Sequence, residues 1–372
     1  MSNVQVKTER QSGIELMKVI AILMIVLSHA AQSFGNASVG YEGLPESTYD
    51  LQRLCLIFFR QMGQIGNLMF LIPSAWFLAD SKKVNFNKIA RFVADTFTVS
   101  AVWLICYAIG GGALTASDII RSLFPTTLGV HWYITCYLLL YAIHPLLNLL
   151  IDRIDRKTHF AYSIVFFVLY FVISFIKLTF FSNSLIGFVG VYFIVAYCKK
   201  YMIDLFSSKK ANRLLFAAGF IGWIGLVLLI NLLGRRIAFF HNKEGHLNTF
   251  INPLFLIMVF AAFNLFRISS LQNKTINAFS SLSLLIYIIH GNHLFREHIR
   301  PIYYDYIYAH FTYDHLLVWV LLYAVLMFIA SLLLAILYNK LLQPLVHKLA
   351  DKLLAVLLKL YGRFEAAAMR LK

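Results

Sequence analysis

Ile14-Glu15-Leu16-Met17-Lys18-Val19-Ile20-Ala21-Ile22-Leu23-Met24-Ile25-Val26-Leu27-Ser28-His29 is a nearly unbroken apolar run interrupted by three ionisable residues. Continued to position 34, it is long enough to cross the hydrocarbon of a bilayer, which takes about 20 helical residues. Comparable runs follow at 56–79, 92–111, 131–150, 160–181, 184–198, 212–233, 249–267, 277–294 and 316–338. Of the 372 residues, 60% are hydrophobic and 13% charged, whereas soluble domains carry about 25% charged residues. The expected fold is an all-α integral membrane protein, a bundle of about ten transmembrane helices.

The connections carry a second, independent signal, because Lys and Arg accumulate in cytoplasmic loops. With the N-terminus inside, the inner connections hold Lys82, Lys83, Lys88 and Arg91, then Arg153, Arg156 and Lys157, then Lys199, Lys200, Lys209, Lys210 and Arg213. The outer side has only Arg53, Arg60, Arg121, Arg235, Arg236, Lys243, Arg296 and Arg300. An even number of spans then places both termini in the cytoplasm and the chain in the cell membrane as a multi-pass protein. Ser28-His29-Ala30 could end a cleaved signal peptide, but Glu15 and Lys18 interrupt its apolar start and the run continues past that site. The first run is therefore read as a retained span.

A formal net charge of +16 raises the question of nucleic acid. The basic residues sit in short clusters between spans, where membrane topology puts them, so no nucleic-acid partner is expected. Four single cysteines form no ligand or redox spacing. Residues 1–340 read as one polytopic domain and 341–372 as a basic amphipathic tail. Over Leu341 to Phe364, Lys348, Lys352, Lys359 and Arg363 fall within about 60° of one another at 100° per residue. That pattern predicts an interfacial helix on the inner leaflet, with membrane lipids as partners; packing against the bundle is the alternative.

Ionisable residues inside a span are costly enough to suggest function. Ten residues separate Lys18 from His29. Eleven steps of 100° make three turns plus about 20°, so the two share a helix face about 16 Å apart and cannot touch. Lys18 lies near the inner interface, suited to an anionic, phosphate-bearing ligand, and Glu15 is placed to pair with it. His29 lies in the outer half, suited to taking a proton from a hydroxyl. Taken singly, each has an ordinary explanation: a snorkelling lysine with its counter-ion, and a hydrogen-bonded packing histidine.

The basic-x10-His pattern resembles the signature of the bacterial membrane acyltransferase-3 family, whose members O-acylate surface polysaccharides and other acceptors. Lys18 stands where that family has Arg, keeping the charge but losing the planar fork. Met69-Phe70-Leu71-Ile72-Pro73-Ser74-Ala75-Trp76-Phe77-Leu78 resembles its second-span Phe-Phe-x-x-Ser-Gly-Tyr-Leu element, with Ala75 in place of Gly. Lys88-Ile89-Ala90-Arg91 is similar to its Arg-x-x-Arg pair. His131-Trp132-Tyr133-Ile134, Tyr141-Ala142-Ile143-His144-Pro145-Leu146 and Ser281-Leu282-Ser283-Leu284-Leu285-Ile286-Tyr287-Ile288-Ile289-His290 resemble further elements, in the family's order.

The resemblance implies transfer of an acyl group, acetyl above all, from cytoplasmic acyl-CoA to a hydroxyl of a cell-surface or capsular glycan or its lipid-linked precursor, in the bacterial cytoplasmic membrane. Acyl-CoA would be a co-substrate and no bound cofactor is implied. Lys18, Glu15, Lys88 and Arg91 would hold the donor, His29 would be the base with His290 assisting, and Ser74, Trp132 and His131 would bind the acceptor or shape the site. His290-x-x-His293 could hint at a metal, but two histidines at that spacing without a carboxylate make a weak signal, and none is expected. Six aromatics of the last outer loop, Tyr303, Tyr304, Tyr306, Tyr308, Phe311 and Tyr313, could stack on sugar or form an interfacial belt. Two other classes fit ten spans. One is a transporter or flippase; the other is a polytopic glycosyltransferase or polymerase using Glu42, Glu46 and Asp50 of the first outer loop.

Overall fold

A computed structural model describes residues 10–33, 51–176, 184–240, 243–310 and 315–369. Among these residues there are helices and no strands. In chain order they are α1 (Ser12–Ser33), α2 (Leu51–Leu78), α3 (Phe86–Ile109), the short α4 (Ala116–Leu123), α5 (Trp132–Arg153), α6 (Arg156–Phe166) and α7 (Ser184–Tyr201). Then come α8 (Lys209–Gly234), α9 (Pro253–Arg267), α10 (Lys274–Ser280), α11 (Ser283–His290), α12 (Arg300–His310), α13 (Leu316–Leu341) and α14 (Gln343–Met369). A π-helical turn, Phe167–Ile173, carries α6 on to Ile176.

Polar residues placed at the starts of these helices fix where the chain turns back. The side chains of Asn85, Asp155, Ser208, Asn252 and Asn273 each accept a hydrogen bond from a first-turn amide of α3, α6, α8, α9 and α10. Such a cap satisfies a donor that the helix itself leaves open.

Eight described helices are long and apolar enough to cross a membrane: α1, α2, α3, α5, α6 with its continuation, α7, α8 and α13. The eighth and ninth expected spans differ from the rest. The run at 249–267 holds a helix of only 15 residues, α9, because Asn252 and Pro253 start it late. The run at 277–294 is broken. Lys274–His290 and Phe295–Ile307 meet at 57°, with Gly291 closing the first segment. Where about ten spans are expected, the described residues hold eight long helices, one short helix and one bent pair.

α2 is the central element, with 67% of its apolar window buried, against 22% for α3 and α8 at the periphery. The outward apolar side chains of α13, among them Leu321, Val325, Ile329 and Leu333, are exposed as a lipid-facing helix requires. α14 lays its first half on α3 and leaves Leu349, Leu353 and Leu357 exposed.

α1 and α2 approach so closely that two glycines are needed between them. A methyl group on Gly66 would come 2.8 Å from the Ala21 carbonyl oxygen and 2.7 Å from Ile25 Cγ1, and one on Gly63 would come 2.5 Å from Ser28 Oγ. Small residues at membrane helix contacts allow this approach. Gly66→Ala is expected to cost about 1–3 kcal/mol, the usual range for overpacking, read as a lowered Tm of the detergent-solubilised protein; Gly225→Ala, where nothing lies within 4 Å, should leave Tm unchanged.

Candidate active site

The helix ends gather histidines at one end of the bundle. His29 is in the last turn of α1, His290 is the last residue of α11, and His131 is the residue that starts α5. His29 Nδ1 lies 3.0 Å from His290 Nε2, although 261 residues separate them in sequence. His290 Nδ1 lies 2.5 Å from the carbonyl oxygen of Ile286. A carbonyl only accepts, so His290 Nδ1 holds the proton and its Nε2 carries the lone pair. His29 Nδ1 then donates to His290, and the basic nitrogen of His29 is Nε2. One backbone oxygen fixes both tautomers.

Side chains from distant segments hold these two histidines. The last carbonyls of α1 lack donors inside the helix, and they are met from outside. Arg300 Nη1 donates to His29 O at 3.3 Å, Tyr304 to Ala30 O at 3.2 Å, and Arg60 to Ala31 O and Gln32 O, both at 3.2 Å. Arg60 and Arg300 are buried, and their charge complements the negative end of the helix dipole. In sequence both stand among the outer-side charges; the fold turns them inward. Tyr304, expected in an aromatic loop, is also buried, while Tyr306 is exposed and stacks on His310.

The end of α11 is braced differently. Trp103 Nε1 donates to Ile289 O at 3.2 Å, and Asn292 Nδ2 donates to Ser100 Oγ at 3.2 Å. His293, the second histidine of the His290-x-x-His293 spacing, donates to the Asp118 carbonyl at 3.3 Å. Among the described residues no three His, Cys, Asp or Glu side chains gather as a metal site. Arg121 of α4 grips Glu297 bidentately at 2.7 and 2.8 Å, just after the bend. Asp118, inside α4's capping box, accepts from Thr115 and from His298 Nε2 at 3.2 Å. Burial opposes its ionisation, but the Thr115 and His298 hydrogen bonds hold its carboxyl down at about 2.

A cavity of about 350 Å³ starts at Lys18 and Lys88 and runs between α1, α2, α3, α5 and α11 to Ile25, Tyr133 and Tyr287. Its size suits a small-molecule site. Ile25 is one turn before His29. The Tyr287 ring packs at 6.1 Å from His290 and 5.8 Å from His131, joining the end of the cavity farther from Lys18 to the histidines. Lys18 Nζ pairs with Glu15 at 3.1 Å, and Glu15 also accepts from Ser280 Oγ at 2.5 Å. Ser74 lines the cavity and donates to Phe70 O at 2.9 Å. Lys88 donates to Tyr137 at 3.2 Å and lies 4.7 Å over the Tyr141 ring.

Two expected residues stand elsewhere. Trp132 packs edge-on against Phe188 and Phe250 in the aromatic core. Its neighbour Tyr133 lines the cavity instead, with a buried hydroxyl that has no hydrogen-bond partner among the described residues. Arg91 points away from this cavity to Asp351. His131 Nε2 is likewise buried without a partner among the described residues. The acidic residues Glu42, Glu46 and Asp50 and the aromatics Phe311 and Tyr313 lie outside the described residues, as does the side chain of Tyr308.

The match to a family described as an acyltransferase domain covers residues 11–339. The chain belongs to the acyltransferase-3 family. No curated protein and no solved structure matches it. This membrane acyltransferase therefore has its paired histidines, its cavity and both terminal clamps within the matched region.

His290→Leu removes the acceptor that orients His29, and the expected result is a fall in acyl transfer of about two to four orders of magnitude with little change in donor KM. The Asp118 carboxyl is depressed, so its contribution to stability is full above its ordinary pKa near 4 and is lost as pH falls towards 2. A lower hydrogen-exchange protection factor in α4 below about pH 4, with each rate referred to the intrinsic rate at that pH, and a weaker pH dependence in Asp118→Asn are the matching observations.

Proposed function

We propose that this acyltransferase moves an acyl group, acetyl, from cytoplasmic acyl-CoA to a hydroxyl of a cell-surface or capsular glycan or its lipid-linked precursor. It would work in the bacterial cytoplasmic membrane with both termini in the cytoplasm. The observation that carries this reading is a single cavity with Lys18 and Lys88 at one end and, at the other, Tyr287 against His290. Cations at the cavity's mouth suit a phosphate-bearing donor, and the apolar passage suits its neutral arm. The leucines left exposed on α14 support a tail resting on lipid.

In this scheme His29 Nε2 takes the proton of the acceptor hydroxyl as its oxygen attacks the thioester carbonyl carbon. A tetrahedral oxyanion forms and collapses, the carbon–sulfur bond breaks, and the departing thiolate takes the proton back from His29. The ester and free CoA leave, and the imidazole is neutral again. His290 acts as a positioning residue that holds the tautomer. The Tyr133 hydroxyl, unpartnered among the described residues, is suited to donate to the oxyanion, which would develop at the histidine end of the cavity it lines. His131 shapes the acceptor side, while Ser74 shapes the donor's passage.

His29→Ala is expected to lower acyl transfer by about 10²–10⁴-fold, and Tyr133→Phe by about 10²–10³-fold at unchanged KM. Mass spectrometry of surface glycans from a deletion strain complemented with each variant reads the loss of one acetyl mass per modified residue. Intact acylation with His29→Ala would sink the mechanism. A glycan that moves across the membrane unchanged in mass would favour a flippase.

A further inference from the structure

A second cavity, of about 400 Å³, lies beside the first and shares Lys88, Phe92 and Leu284 with it. Its walls are polar: Asn85, Asn87 and Arg91 from the start of α3, and Gln343 and His347 from α14. The family match stops at residue 339, so the α14 wall lies outside the region that defines the enzyme class. α14 is held there by specific bonds. Asp95 accepts from Tyr338 at 2.9 Å, Gln343 Nε2 at 3.0 Å and His347 Nε2 at 2.9 Å. Asp351 accepts from Arg91 Nε at 3.0 Å and Nη2 at 2.5 Å. That second pair is partly exposed, and Arg91 holds the Asp351 carboxyl below its usual range.

We infer that this second cavity binds the phosphorylated nucleotide end of the acyl donor, and that Asp351 is a resident counter-ion on Arg91 which the donor's phosphate replaces. The inference rests on the donor assignment proposed above. Three features carry it. The two cavities share Lys88, Phe92 and Leu284 as walls, so a donor whose thioester lies beyond Lys88 in the first cavity leaves its other end here. Amide groups of Asn85, Asn87 and Gln343 can hydrogen-bond a base and a ribose. The guanidinium of Arg91 already grips one planar oxyanion through two N–H groups, a geometry that phosphate also satisfies. Asp95, the buried carboxylate of this wall, is already engaged by three donors. α14 is then part of the donor site, and Asp351 weakens donor binding at rest.

The test uses the full-length protein in nanodiscs with coenzyme A as the probe and pantetheine, which lacks the nucleotide, as the control. Isothermal titration should show Asp351→Asn binding coenzyme A about three- to fivefold more tightly, the size of a partly exposed ion pair. Arg91→Gln should bind it more weakly by a similar factor, and adding Asp351→Asn to Arg91→Gln should change nothing further. Pantetheine affinity should be equal in all four proteins. Melting temperatures within a degree or two of one another would show that α14 stays in place. Equal coenzyme A affinity in all variants overturns the inference while leaving the donor assignment standing. No coenzyme A binding by the unmodified protein overturns both. Tighter binding of pantetheine in Asp351→Asn would also overturn it, because the effect would then lie outside the nucleotide.

Discussion

The hydrogen bond from His29 to His290 is the constraint around which the far end of the bundle is organised. It joins the end of the first helix to the end of the eleventh, so both ends must stay in register to within a fraction of an ångström. Neither helix can secure that alone, since helix ends fray and leave backbone carbonyls open. The solution is to tie each end from several directions. Buried Arg60, Arg300 and Tyr304 close α1, while Trp103, Asn292 and the Arg121–Glu297 pair hold the bend after α11. Charged side chains are expensive in hydrocarbon, and here each is turned onto an acceptor that would otherwise be unsatisfied.

The bend at Gly291 has the same origin. A straight ninth span would carry the chain past His290 and leave a histidine in the middle of a helix, its ring facing a neighbour's side. Ending α11 at His290 and turning by 57° brings Arg300 and Tyr304 back over α1. The broken span thus supplies the clamp for its partner histidine, and the two features need each other.

Hydropathy alone made the membrane class legible, and helical phase put Lys18 and His29 on one face. The bend had a local signal in Gly291-Asn292, a turn-forming pair that follows the apolar stretch Leu284 to Ile289, but mean hydropathy over the run 277–294 reports burial rather than continuity. Arg60 and Arg300 looked like loop charges since they border apolar runs; the charge of Arg60 within span reach of α2 was the available clue. Tyr133 was masked by Trp132, the larger aromatic beside it, because sequence cannot say which of two adjacent rings faces a cavity. His290 was visible as a histidine, but its role as the group that sets a tautomer depends on a carbonyl oxygen, and backbone atoms leave no trace in residue identity.

Lys88 stands at the junction of the two cavities, over the Tyr141 ring and bonded to Tyr137, with Phe92 also close. Electron-rich faces around an ammonium favour its charge there. On the donor reading proposed above, the junction would sort a ligand by polarity: anionic groups would be retained on the cytoplasmic side of the lysine, and an uncharged chain would lie along the rings. A ligand would then be threaded in one direction only, its orientation decided before its reactive end meets any histidine.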